Sequence, residues 1–234
     1  MISIVCKGNV ATHLYEAFKN KVDVVMVNPH TLEDLPTHSD IIIVCVSDNA
    51  IEEVVSRLPQ SNAIVVHTSG SMPMDILQSH TKFYGVMYPL QTFTKGVFLN
   101  YEEIPVFIEG MNDNVVKKLK TIAALFSKDI READSVSRLK LHIASVFACN
   151  FINALARISK DLMDESGIDF SALKPLMKQT INKLDVLSPK EAQTGPAVRG
   201  DSMVINRHLE MLSSRPEIQN LYQQLTDIIQ DGKI

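Results

Sequence analysis

The stretch that decides the fold is MISIVCKGNVA, residues 1–11, which opens a chain of 234 residues. Residues 2–5 form a short apolar run rich in β-branched side chains, which predicts a buried strand. Two small residues, Gly8 and Ala11, follow this run, and apolar side chains then recur with helical spacing over residues 10–20. The chain therefore opens with a strand, a glycine-containing turn and a helix.

The turn itself, residues 6–11, reads CKGNVA and matches the pattern GxGxxA except that Cys6 replaces the first glycine. In this pattern the first position makes the tight turn, the second lets the backbone approach a pyrophosphate, and the third lets the helix pack closely on the strand. Free N–H groups at the start of the helix attract the same anion. The pattern predicts a dinucleotide site at Gly8, Asn9, Val10 and Ala11, and the alternative is a turn with a purely structural role.

The first half of the chain alternates strand-like and helix-like segments. Apolar runs typical of strands lie at residues 22–27, 41–46, 63–67, 83–87 and 106–108, with residues 129–133 as either a last strand or a linker. Helical patterns lie at residues 50–58, 76–79 and 114–127. Continuous apolar strands alternating with helices indicate a parallel sheet covered on both faces. We predict an α/β fold with a doubly wound parallel sheet of the Rossmann type over residues 1–133.

The second half, residues 134–234, carries almost no strand pattern and is predicted to be an all-α domain. One long helical pattern runs from Ser137 to Ser166 and is apolar nearly all round in its first half. Such a helix must be buried, either at the centre of a helical domain or against a second subunit. Gly167 is the expected C-cap, and Ser171 is the expected N-cap of a helix with Pro175 in its first turn. The last two helices are predicted over residues 202–211 and 216–230, the first of them capped by Asp201 or Ser202.

Charge and cysteine usage exclude several classes of protein. A net charge of −4 provides no electrostatic reason to expect a nucleic acid or an anionic membrane as partner. The three cysteines are far apart and odd in number, so they indicate reduced thiols and neither a disulfide framework nor a metal site. The first residues lack a signal peptide's basic flank, and the apolar stretch 141–156 is shorter than the ~20 residues that span a bilayer. We expect a cytoplasmic protein without metal, membrane or nucleic acid.

Polar residues follow several predicted strands, at the sheet edge where open α/β sheets bind ligands. These are the further candidate cofactor residues, namely Asn28 after the second strand, Val46 and Ser47 after the third, His67, Thr68 and Ser69 after the fourth, and Gln91 and Thr92 after the fifth. Asn28 stands where NAD-specific domains carry an acid for the ribose hydroxyls, and as a neutral residue it does not repel a 2′-phosphate. The cofactor prediction is therefore NADP, with NAD as the alternative. Asp48 is interpreted either as a cofactor-side residue or as an N-cap.

The predicted long helix carries a polar stripe that includes His142 and Asn150. Buried polar groups on an apolar helix require partners, so one interpretation is a set of satisfied core side chains. In the other, His142 donates a proton to a carbonyl or imine that receives hydride, and Asn150 orients the substrate. Arg199 lies in a turn-rich loop and is predicted either to anchor a substrate carboxylate or to pair with a carboxylate of the protein. We expect His142 and Asn150 to face His67, Gln91 and Thr92.

The sequence also resembles a family of predicted NADP oxidoreductases that pair a Rossmann-like domain with a C-terminal helical domain of unknown function. The resemblance covers nearly the whole chain and lies in residues 8–14, 67–70, 89–93, 146–150 and 194–201 together with His142. The wider superfamily includes pyrroline-5-carboxylate reductase, ketopantoate reductase and 6-phosphogluconate dehydrogenase. The resemblance implies a cofactor on the first domain, a substrate between the two domains, and a dimer made by the helical domain. Cys6 departs from the glycine that relatives usually have.

Together these observations predict an NADP-dependent oxidoreductase that transfers hydride to a small C=N or C=O compound bound between the domains. The partners expected are this small molecule and a second copy of the chain. The alternative is a non-catalytic dinucleotide-binding dimer, a sensor or partner protein, which the departure at Cys6 favours. A third interpretation, a methyltransferase that binds S-adenosylmethionine on the same turn, is disfavoured by the helical second half.

Overall fold

The computed structural model describes residues 1–232 and divides into two compact units. The first unit runs from Met1 to Leu155, and the second begins at Ala156. The predicted domain boundary between residues 133 and 134 lies just after the last strand of the sheet, and as the end of the cofactor domain it stays a prediction.

The first unit is built on a sheet of seven strands. In chain order these are β1 (Ile2–Val5), β2 (Val24–Val27), β3 (Ile41–Val44), β4 (Ile64–His67), β5 (Phe83–Pro89), β6 (Val106–Gly110) and β7 (Ile130–Glu132). Their order across the sheet is β2-β1-β3-β4-β5-β6-β7, and the pairs among β1 to β5 are parallel. This is the doubly wound Rossmann-type sheet that the sequence predicts.

Strand β6 departs from the expected parallel arrangement. It pairs antiparallel with β5, with Met87 opposite Ile108, whereas β7 runs parallel to β6. A parallel neighbour requires a crossover connection, usually a helix, but the chain between β5 and β6 forms only one short helical turn, Tyr101–Glu103. Without that crossover, β6 returns along β5 in the opposite direction.

Three helices cover the sheet, α1 (Asn9–Phe18), α2 (Ile51–Ser56) and α3 (Asp113–Ala123). The apolar residues of α1 and α3 pack on one face and those of α2 on the other. The alternation of a strand divides its residues between these faces, so that Ile43 packs with α1 and α3, while Ile42 and Val44 pack with α2. The helix expected at residues 76–79 is instead a short 3₁₀ turn, Met74–Leu77.

After β7 the chain forms one continuous helix of 32 residues. It consists of α4 (Ser135–Ser145), a π-helical segment (Val146–Phe151) and α5 (Ile152–Ser166). The helix predicted from Ser137 is therefore present, and it begins two residues earlier because the Asp134 carboxylate caps it by accepting a hydrogen bond from the Ser137 N–H.

The expected burial of this helix is wrong within the single chain. Its buried side chain is Arg138, whereas large apolar side chains are exposed along its length, among them Leu139, Ile143, Phe147, Phe151, Ile152 and Leu155. An 18-residue stretch of this helix has a mean hydropathy of 1.4, and the helix is long enough and apolar enough to cross a membrane. The alternative, in which a second subunit covers this surface, stays a prediction.

The second unit continues with α6 (Lys174–Asn182), α7 (Pro189–Ala192), α8 (Ser202–Met211) and α9 (Pro216–Asp231). Gly167 ends α5 with φ of +70°, as a helix C-cap requires, and the Asp201 carboxylate caps α8 by accepting from the Val204 N–H. The expected cap at Ser171 is wrong, because the carboxylate of Asp169 accepts from the Ser171 N–H and a 3₁₀ turn precedes α6.

Candidate functional site

The turn between β1 and α1 has an unusual backbone at the position where the sequence departs from the motif. Cys6 has φ of +150°, a region that L side chains rarely adopt. Its Sγ accepts a hydrogen bond from the Gly8 N–H at 3.1 Å. A Cβ at position 8 would lie 3.3 Å from this sulfur, so glycine at this position leaves room for the thiol. The cysteine therefore occupies a glycine-type conformation and engages an amide of the turn.

The start of α1 retains the features that attract an anion. The N-cap residue of α1 is Gly8, which has no side chain to cap the helix. The N–H groups of Asn9 and Val10 at the start of the helix are therefore not capped by a side chain of the turn. The first turn of the helix carries no acidic residue. Ala11 is fully buried, which lets the helix pack closely on the sheet. The helix dipole and these N–H groups suit a pyrophosphate.

A loop that follows β5, residues 90–100, reaches the same turn. The ammonium group of Lys95 donates to the backbone oxygen of Lys7 at 2.6 Å. Gln91 and Thr92, both predicted cofactor residues, are exposed in this loop, and the Thr92 N–H donates to Gln91 Oε1 at 2.7 Å. The loop therefore stands beside the turn, although 88 residues separate Lys95 from Lys7 in the chain.

The loop after β2 receives an arginine from a distant part of the chain, and this arginine is not among the predicted site residues. The guanidinium of Arg57, just beyond the end of α2, donates to the backbone oxygens of Pro29 and His30, both at 2.8 Å. The Asn28 Oδ1 accepts from the His30 N–H at 3.0 Å. This contact could not be predicted from a local pattern, because Arg57 lies 27 residues beyond His30 in the chain. A cation thus lies at the loop where dinucleotide folds discriminate between NAD and NADP.

After β3, Val46 is half-buried and Ser47 is exposed at the carboxyl edge of the sheet. The next residue, Asp48, is not an N-cap, because its carboxylate makes no cap hydrogen bond and accepts one from the Ser71 hydroxyl. This contact joins the segments that follow β3 and β4.

His67, at the end of β4, is fully buried. Its Nδ1 accepts from the Ser69 N–H at 3.2 Å, so the proton is on Nε2, which faces the Pro73 backbone oxygen at 3.3 Å. Burial, followed by the positive charge of Arg138, lowers the pKa of His67 to about 4. The imidazole is therefore neutral and holds the backbone of residues 69–73. The sequence predicts His67 among the cofactor residues at the sheet edge, but its side chain is buried beneath that edge. Of the predicted residues of this segment, Thr68 is the half-exposed one, whereas Ser69 is buried.

His142 meets Tyr88, a residue absent from the predicted site. The Tyr88 hydroxyl lies 3.1 Å from His142 Nδ1, and the two rings meet edge to face with centroids 6.1 Å apart. A Cβ at Gly70 would lie 2.7 Å from both His142 Nδ1 and Tyr88 Cζ, so only glycine permits this pair. Both side chains remain partly exposed, and burial raises the pKa of Tyr88. The pair provides a hydroxyl and an imidazole that can exchange a proton.

The start of α4, the helix that carries His142, is held to the sheet by a buried ion pair. The guanidinium of Arg138, 1% exposed, pairs with the Glu109 carboxylate of β6 and donates to the Met72 backbone oxygen at 2.5 Å. Glu109 also accepts from the Ser135 N–H at 3.0 Å. We call Arg138, Glu109, Met72 and Ser135 the α4 clamp. It fixes the first turn of α4, and His142 lies one turn further along.

The family comparison adds to this geometry. A family model described as a domain of unknown function, DUF2520, matches residues 104–229, more than half of the chain. The chain belongs to the DUF2520 family. The crystal structure of "putative NADP oxidoreductase BF3122 from Bacteroides fragilis" superposes on this DUF2520 protein with a TM-score of 0.91 and 34% identity, over 98% of this chain and 97% of that one. The predicted family resemblance and fold class are confirmed.

Two further solved structures share the fold of this DUF2520 protein. Protein TM1727 from Thermotoga maritima has a TM-score of 0.75 at 22% identity, with 99% of this chain and 97% of that chain covered. The imine reductase from Myxococcus stipitatus in complex with NADP⁺ has a TM-score of 0.68 at 14% identity, with 99% and 93% covered. No curated protein sequence matches the chain. The DUF2520 protein therefore shares its Rossmann-type fold with these two solved structures.

The remaining predicted site residues lie within the DUF2520 match. Asn150 is in the π-helical segment with an exposed side chain, and within residues 1–232 no hydrogen bond joins it to His142. Arg199 is exposed in the turn that precedes α8 in the second unit. The structure therefore brings His142 to Tyr88 and Gly70, and the roles of Asn150 and Arg199 stay predictions.

Proposed function

We propose that this DUF2520 protein is an NADP-dependent reductase that transfers hydride to a small C=N or C=O substrate. The observation that carries the proposal is the Tyr88–His142 pair, which lies at the end of β5, on the same edge of the sheet as the dinucleotide turn. Open α/β sheets bind their ligands at this edge. A cofactor on the turn would therefore have a proton-transfer pair beside the same row of strand ends.

The chemistry divides between cofactor and protein. A reduced nicotinamide supplies the hydride to the substrate carbon, and the substrate nitrogen or oxygen must receive a proton. We assign this proton to the Tyr88–His142 pair, because both groups exchange protons and remain partly exposed. Asn150 is proposed to orient the substrate, and Arg199 to anchor a substrate carboxylate.

The proposed cofactor is NADP, with NAD as the alternative. Asn28 carries no charge that would repel a 2′-phosphate, and the Arg57 guanidinium lies on the same loop. The proposed cofactor contacts are the turn residues Gly8, Asn9, Val10 and Ala11, together with Asn28, Val46, Ser47, Thr68, Gln91 and Thr92 at the strand ends. The buried His67 holds the segment after β4 in place by accepting a hydrogen bond from the Ser69 N–H.

A homodimer is proposed through the exposed apolar side of the helix Ser135–Ser166. Contiguous exposed apolar side chains on a soluble protein mark an interface when they form a large patch, and a second copy offers the same surface in a two-fold arrangement. We propose a cytoplasmic location, which suits three free cysteines.

Thermal unfolding with NADPH, NADH and S-adenosylmethionine tests the cofactor. At a concentration of about 100 Kd, a ligand that binds only the folded state stabilises it by about 2.7 kcal/mol, which raises Tm by about 5–10 °C in a protein of this size. We expect this rise with NADPH and none with S-adenosylmethionine. A flat response to both dinucleotides would contradict the proposal.

A panel of cyclic imines and keto acids then tests turnover, measured as loss of NADPH absorbance. His142→Ala should lower turnover by roughly 10²–10⁴-fold while NADPH binding is retained. The second candidate function, a non-catalytic dinucleotide-binding dimer, is favoured by the glycine-type conformation of Cys6. Binding of NADPH without turnover of any compound in the panel would support that second candidate.

A further inference from the structure

The loop after β5 places a positive charge on the dinucleotide turn. Lys95 is exposed, and its ammonium group donates to the Lys7 backbone oxygen at 2.6 Å, directly before Gly8. An ammonium group has three N–H donors. One of them is used on Lys7, so two remain for an anion at the start of α1.

The loop is held in this place by His13, a residue of α1 that is 5% exposed. His13 Nε2 lies 2.9 Å from the Thr94 backbone oxygen, which can only accept, so Nε2 carries the proton and donates. His13 Nδ1 then accepts from the Tyr101 hydroxyl at 3.0 Å. The Phe93 ring packs on the imidazole with centroids 5.2 Å apart. Position 95 is therefore fixed by contacts on both sides of it in the chain.

The turn itself has one fewer free donor than the glycine motif would provide. The Cys6 thiol accepts the Gly8 N–H, which lies where the backbone of such turns approaches a pyrophosphate. A nearby cation compensates for a donor that is engaged elsewhere, because a charge-assisted hydrogen bond is about twice as strong as a neutral one.

We propose that Lys95 binds the pyrophosphate of the dinucleotide, as a cation supplied from the loop after β5. This inference rests on the proposed function, because it requires a dinucleotide on the turn. It assigns a binding role to a residue that the glycine motif does not contain, and it makes His13 a positioning residue for the loop.

The test is the affinity for NADPH, measured by isothermal titration calorimetry, of Lys95→Met against a matched control. The control is Lys21→Met, because Lys21 is also an exposed lysine that donates to a backbone oxygen at 2.6 Å, in its case that of Leu125. We expect Lys95→Met to raise Kd roughly tenfold or more, as the loss of a charged hydrogen bond does, and Lys21→Met to leave it unchanged. Lys95→Arg keeps the charge and should bind within about threefold of wild type.

Salt provides a second measurement. Raising the salt concentration from about 0.05 M to about 0.5 M should weaken NADPH binding more in wild type than in Lys95→Met, because screening acts on the charge that the variant lacks. A Kd of Lys95→Met within twofold of wild type would overturn the inference and leave the proposed function standing. Equal losses in both methionine variants would also overturn it. If wild type binds neither NADPH nor NADH, the proposed function fails and the inference fails with it.

Discussion

The α4 clamp predicts a large loss of stability when Glu109 is neutralised. In Glu109→Gln the side chain keeps its size and one acceptor oxygen but loses its negative charge. Arg138 then keeps its positive charge at 1% exposure among neutral acceptors, namely the amide oxygen, the Met72 oxygen and the Ser135 hydroxyl. Removal of one partner from a buried ion pair typically costs 3–5 kcal/mol. We expect about 3 kcal/mol, the lower end, because the amide still accepts a hydrogen bond and the Glu109 side chain is 16% exposed.

Urea unfolding followed by circular dichroism measures this loss. With a slope of about 3 kcal/mol per molar urea, the midpoint should fall by about 1 M. The control is Glu102→Gln, which removes the carboxylate of an ion pair with Lys128 in which both side chains are more than half exposed. Exposed pairs contribute little, so this midpoint should not move measurably. Equal midpoints for the two glutamine variants would refute the argument that burial makes the clamp structural.

Three further predictions concern the turn, the buried histidine and the apolar helix. Cys6→Gly removes a side chain from a glycine-type φ and frees the Gly8 N–H, so NADPH should bind roughly fivefold more tightly in calorimetry; weaker binding would mean that the thiol contacts the cofactor. Because the pKa of His67 is about 4 in the folded protein and 6.5 in the unfolded chain, unfolding takes up a proton between these two pH values. The free energy of unfolding therefore has its full value, as far as His67 is concerned, above pH 6.5 and falls by about 3 kcal/mol as the pH is lowered to 4. Urea unfolding at several pH values should show this fall in wild type and a smaller one in His67→Asn, and parallel profiles would count against it. Phe147→Glu, at a side chain that is 65% exposed, should convert a dimer into a monomer in light scattering; a wild-type monomer at micromolar concentration would exclude the interface.

Most of the architecture of the first unit follows from local sequence patterns. Strands such as Ile41–Val44 are short, apolar and β-branched, and the helix Asn9–Phe18 carries a regular apolar stripe, so period and composition are sufficient to recognise them. The direction of β6 could not be predicted from such patterns. It depends on whether a crossover helix forms in residues 90–105, and a segment without regular structure has no periodicity that would show whether the next strand runs parallel or antiparallel.

The candidate site likewise has a part that local sequence patterns predict and a part that they do not. The dinucleotide turn, the polar strand ends and the family resemblance are contained in contiguous stretches of sequence, because a βα turn is built from neighbouring residues. The sequence alone therefore determined the Rossmann-type fold and the position of Gly8 within it. The partners of His142, Arg57 and Lys95 are distant in the chain, and no local pattern contains them. Only the tertiary structure decided that His142 meets Tyr88, that His67 is buried and neutral, and that Lys95 reaches the glycine turn, because these contacts join residues that are distant in the chain and that only packing brings together.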